Sequence, residues 1–255
     1  GVLSLALAPN ALAFTSPSVR ENPGGRKPIL VALELSGGND GLNTVVPFRN
    51  DDYYRLRPTL GIPAKDLLPL DAEFGFNPGL VGLQSLWRDE QLAIVHGCGY
   101  PQPSYSHFTS MAYWHTGAPN RGSEFGWLGR VADSLAHQRR DNMLVNIGAH
   151  QSLAVNSKIH TPVVFDDPNK FQRDRWMSVP ESSANKASGR GFDARSNRAY
   201  LHAIHDSAQA SSSLIRSAWQ AYAADADYGV APFDLPKVAA CIDAGLPTQL
   251  YHVSV

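Results

Sequence analysis

Seven consecutive positions, residues 29–35, are almost all apolar and β-favouring, and the run then breaks into Ser36-Gly37-Gly38-Asn39-Asp40-Gly41. A short apolar run bounded by turn residues predicts a buried strand of a parallel sheet that empties into a polar loop. Behind Asn77-Pro78, the residues Leu80, Leu83, Leu86 and Trp87 recur at helical spacing, which predicts a helix to Asp89 with Asn77 as its cap. Residues 92–95 form a second apolar run, so this part of the chain reads as strand, crossover helix and parallel strand. It leaves through His96-Gly97-Cys98-Gly99, a glycine-rich exit expected at the same sheet edge as Asp40.

Further along, Ser104 or Ser106 caps a helix that can pack through Phe108, Met111, Ala112 and Trp114. Ser123 caps another over residues 124–136, whose apolar face is Phe125, Leu128, Val131, Ala132 and Leu135. Strands are expected at 143–147 and 161–165, then a polar surface excursion or lid over 166–192. Residues 193–228 restore a helical period, with a kink expected around 210–213 where serines compete for backbone hydrogen bonds. Asp234 caps a helix over 235–244, Gly245 stops it, and residues 249–255 form a final strand. This alternation predicts one α/β domain, a largely parallel central sheet sandwiched by helices.

Charge narrows the function classes. Lys plus Arg (22) nearly cancel Asp plus Glu (23), so no global field favours nucleic acid or an anionic membrane surface. Cys98 and Cys241 lack metal-ligand spacing, which excludes a disulfide framework or a zinc knuckle and leaves a single bridge unsupported. Residues 1–13 form an apolar run ending in Ala11-Leu12-Ala13, a small-x-small cleavage pattern too short and interrupted to span a bilayer. We expect a signal-peptide remnant over 1–13, a flexible leader over 14–28, a domain over 29–255, and export to the periplasm or beyond.

Two constellations carry candidate chemistry. Asp40, at a strand exit, is placed to ligate a divalent metal, or else Asn39-Asp40-Gly41 only shapes a turn. Gly37 and Gly38 would let a phosphate or sulfate reach the backbone, although they form neither a Walker loop nor a dinucleotide fingerprint. Ser106 at a helix N-terminus reads either as a nucleophile with His107 as ligand or proton carrier, or as a plain cap. His96 is a lesser candidate for the same cleft, and the other histidines, His115 and His252 among them, read as ordinary. Gly37-Gly38-Asn39-Asp40 also matches the oxyanion-hole block of lipase-like serine esterases, but the Gly-Asp-Ser turn and Asp-x-x-His pair of those enzymes do not occur.

Several segments together, LELSGGNDGLNTVVP, YYRLRPTLGIP, LAIVHGCGYPQPSYSHFTSMAYWHTG, FGWLGR and AGLPTQLYHVSV, resemble the bacterial family catalogued as domain of unknown function 1501. Members of that family are commonly exported by the twin-arginine route and are grouped with alkaline phosphatases and sulfatases. The resemblance implies an alkaline phosphatase-like sheet and a metal-assisted phosphate or sulfate ester site using zinc, manganese or calcium. It also implies Asp40 as a metal ligand, Ser106 near the nucleophile position, and His107 within a Ser-His-Phe signature. Family members continue into Gly-Phe-Asp-Thr-His and Asp-His-Gly segments that this sequence lacks, so the expectation is a fragment, inactive alone. The rival expectations are a non-catalytic exported scaffold and a metal-independent serine esterase.

Overall fold

The computed structural model describes residues 27–171, 194–223 and 232–255, with the backbone alone for 194–205. The expected signal remnant over 1–13, nearly all of the expected leader, most of the 166–192 excursion and the end of the helix expected to reach 228 lie outside the described residues. The elements run β1 (Leu30–Glu34), α1 (Gly41–Thr44), β2 (Val45–Val46), α2 (Asp51–Leu56), β3 (Leu68–Pro69), β4 (Gly75–Phe76) and α3 (Val81–Arg88). They continue with α4 (His107–Thr116), α5 (Trp127–Leu135), β5 (Leu144–Ile147), β6 (Val163–Phe165), α6 (Ala194–Ala221), α7 (Leu235–Asp243) and β7 (Leu250–Ser254).

Four strands form one sheet in the order β1-β7-β5-β6, and every pairing is parallel. The last strand in sequence therefore lies inside the sheet, with β1 on its outer edge. Strands buried on both faces must be covered by helices on both sides, and the core divides accordingly. On one face Val145, Ile147, Phe165, Tyr251 and Val253 pack with Ile215 and Ala218 of α6 and with Val238 and Cys241 of α7. On the other, Leu144 and Leu250 meet Leu128 and Ala132 of α5 and a one-turn 3-10 segment, Leu153–Val155. A separate antiparallel trio, β2-β4-β3, packs through Val46, Tyr53 and Leu67.

Several expectations need correction. Residues 92–95 are not a strand, and Val95 is largely exposed. Four apolar residues cannot hold a strand without a ladder partner, and here they lie in the connection from α3 to α4. The chain is pinned just beyond them instead, by His96 stacked on Phe74 and by the Tyr100 hydroxyl bonded to Ser110. The second glycine-rich exit is thus no strand end.

Asn77 does not cap α3; its side-chain oxygen accepts from Gly79 N in a turn, and the helix starts four residues later. Ser123 likewise accepts from Phe125 N two residues on, and α5 begins after Gly126. Asp234 makes no cap bond because its carboxylate takes Lys237 Nζ at 2.7 Å. In α6 one helix runs through 210–213, where the Ser211 hydroxyl donates to the Ser207 carbonyl. Gly245 does stop α7 as expected, at φ +70. Both cysteines are free, Cys98 exposed and Cys241 buried.

Candidate metal centre

Glu34 is the last residue of β1, at the carboxyl end of the parallel sheet, where open α/β folds place their ligands. In the ladder Ala32 stands beside His252, His252 beside Asn146, and Glu34 beside Ser254. Partners in register point to one side of the sheet, so Glu34 and His252 share the face that carries α5. His252 itself is buried.

The third group arrives on α4. Ser106 caps that helix by accepting from Thr109 N at 3.4 Å, and Gly117 ends it in the left-handed region at φ 58. Arg130 of α5 donates to the Thr116 carbonyl at 2.6 Å, which holds the end of α4 against α5. His115 stands in this fastened last turn. The exposed carbonyls of a helix C-terminus favour positive charge nearby.

The three side chains meet. His115 Nε2 lies 3.0 Å and 2.9 Å from the two Glu34 oxygens, and His252 Nε2 lies 3.0 Å from Oε2. Their ligand atoms all fall within 4.8 Å of one another, the one such group of three among the described residues. Hydrogen bonds from His115, then from His252, outweigh desolvation and hold the Glu34 carboxyl down at about 2. It is therefore a carboxylate at any neutral pH. Glu34 and His115 keep about a fifth of their side-chain surface open to solvent, while His252 is closed off.

One carboxylate and two imidazole Nε2 atoms form a donor set suited to zinc, whose catalytic sites take about three protein ligands and keep one position open. All-oxygen cages are what calcium and magnesium prefer, so the set fits those ions less well. Tetrahedral bonds of about 2.0–2.1 Å separate neighbouring donors by roughly 3.3 Å. The Glu34–His115 and Glu34–His252 contacts would each open by a few tenths of an ångström to admit the ion. His252 Nδ1, on the far side of the ring from the cluster, is buried without a partner.

The residues singled out from sequence lie elsewhere. Asp40 caps the single turn of α1 through its carbonyl, and its Oδ2 accepts from Arg57 Nη1 at 2.6 Å. That guanidinium holds the Asp40 carboxyl below its usual range and engages one of its two oxygens. The pair borders an open cleft of about 710 Å³ with Leu42, Leu56 and Leu60. Asn39 donates to the Thr44 hydroxyl at 2.9 Å, an internal loop bond. Gly37 and Gly38 adopt φ of 84 and 101, which L side chains rarely reach, and a Cβ on either would meet nothing within 4 Å. Turn geometry, not close approach, requires them.

Ser106 and His107 are exposed at the opposite end of α4 from His115. At 1.5 Å per residue, Ser106 lies roughly 14 Å along the axis from the cluster. Glu34 was detectable in the sequence as the lone charge in an apolar strand, since a carboxylate there must find partners. His252, a polar residue within the final strand, gave the same signal more weakly; nothing in sequence joined either to His115. The chain matches no protein-family model, no curated protein and no solved structure.

Proposed function

We propose that this chain supplies the metal centre of a divalent-metal-assisted hydrolase of phosphate or sulfate esters, the ion being held by Glu34, His115 and His252. The observation that carries this reading is the meeting of one carboxylate and two imidazole nitrogens at the carboxyl end of a parallel sheet. The ester class is supported by the segments that resemble domain of unknown function 1501. A cation held there would polarise an ester oxygen as a Lewis acid.

The remaining chemistry belongs to the chain. Glu34 stays ionised and compensates part of the cation's charge, the end of α4 adds its partial negative charge, and the buried His252 fixes one side of the site. Ser106 is too distant to attack an ester seated at the cluster, so the nucleophile served by this geometry is water entering beside Glu34 and His115.

Titration calorimetry with zinc, manganese and calcium, followed by assays on aryl phosphates and sulfates, tests the proposal. Zinc is expected to bind once per chain and to support turnover that His115→Ala removes and Asp40→Ala leaves in place. Stoichiometric zinc binding unaffected by His115→Ala, or turnover that survives it, overturns the assignment.

A further inference from the structure

The three prospective ligands come from three different elements, an edge strand, its neighbour in the sheet, and a helix lying over them. β1 pairs with β7 along one side, and on its other side no strand pairs with it among the described residues. Its apolar side chains are unusually open for a parallel strand, with Leu30, Val31 and Leu33 each about two-fifths exposed. Burial therefore contributes less to holding β1 down than it does for the inner strands, and an edge strand with less buried surface opens at lower cost.

Helix α4 packs on the Leu153–Val155 turn and its last turn is tied to α5 by Arg130, contacts that do not themselves reach β1. The side-chain link between α4 and β1 is the Glu34–His115 contact, and the matching link from β1 to the sheet interior is Glu34–His252. One carboxylate thus stands at the junction of all three elements.

We infer that a zinc ion bound by Glu34, His115 and His252 is a clasp that orders the β1 edge and the end of α4, so that metal occupancy governs the opening of this edge. The inference rests on the metal-holding half of the proposed function and is independent of any ester chemistry. Hydrogen bonds among the three groups already draw the elements together; coordinate bonds to an ion would do so more strongly. Any binding confined to the closed state shifts the opening equilibrium by mass action.

Hydrogen–deuterium exchange on the whole chain, with and without zinc, reads this directly. Peptides covering residues 29–36 are expected to exchange at least about tenfold more slowly with zinc at a hundredfold excess over its dissociation constant. Peptides over β6, which contributes no ligand, should not change. His115→Gln retains a hydrogen-bond donor for Glu34 but is a poor zinc ligand, so it should fold and lose the protection. Zinc binding with unchanged exchange at 29–36 overturns the clasp and leaves the metal centre standing. Protection equal in the wild type and His115→Gln places the ion elsewhere and overturns it too, and absence of zinc binding removes both. Protection without ester turnover supports the clasp and removes the hydrolase.

Discussion

Glu34 shows how a single charge is tolerated in a strand. Taking a carboxylate out of water is costly unless hydrogen bonds replace the lost solvation, and two histidines provide them. Its carboxyl is depressed from an ordinary 4.5 to about 2, so it stabilises the fold fully above the unfolded value and loses that contribution as pH falls through the folded one. Urea midpoints measured for the wild type and Glu34→Gln should differ at about pH 5 and converge toward pH 2. Other depressed carboxyls, such as Asp133 and Asp71, titrate equally in both proteins and cancel in the comparison. Asp40 lies at the other extreme, an exposed carboxylate paired with Arg57 at the surface. Asp40→Asn is expected to cost no more than about 1 kcal/mol in denaturant titration and to leave zinc affinity unchanged. Glu34 was passed over in the sequence, and no local signal could have joined it to His115 and His252, which lie 81 and 218 residues away.

At the scale of elements, close approach sets the position of α5. A Cβ on Gly129 would fall 1.9 Å from the Asn156 carbonyl oxygen, and one on Gly126 would fall 2.1 Å from that of Ala154. Both would meet backbone, which cannot step aside. Gly129→Ala should destabilise the protein by about 3 kcal/mol or more in urea, by forcing α5 off the Leu153–Val155 turn. Ser106, by contrast, acts locally. Ser106→Ala should cost about 1 kcal/mol through loss of the cap and leave zinc binding untouched. Helices with a clear apolar period were legible in sequence to within a few residues. The strand expected at 92–95 was not real, since an apolar run of four fixes neither a conformation nor a partner.

For the whole molecule, stability is concentrated where the parallel sheet is covered on both faces. Leu144, on the inner strand β5, is fully buried against α5 and the turn that follows. Leu144→Ala should cost about 2–5 kcal/mol by loss of buried surface and creation of a cavity, as read from equilibrium unfolding. A substitution of equal size on β1, such as Leu33→Ala, should cost markedly less because that side chain is already 40% exposed. The sheet is thus firm in its middle and soft at the edge that carries Glu34.

Local pattern was enough to establish an α/β chain with a parallel sheet, most of its helices, and the apolar strand that carries Glu34, because periodicity and turn chemistry act over a few residues. Strand order was beyond its reach, since β7 enters between β1 and β5 by long-range pairing that no local signal specifies. Only that insertion sets His252 beside Ala32, and only the docking of α4 on the Leu153–Val155 turn brings His115 over Glu34. Three residues that are unremarkable in the chain become one chemical centre because burial of the sheet faces, not sequence proximity, selects their neighbours.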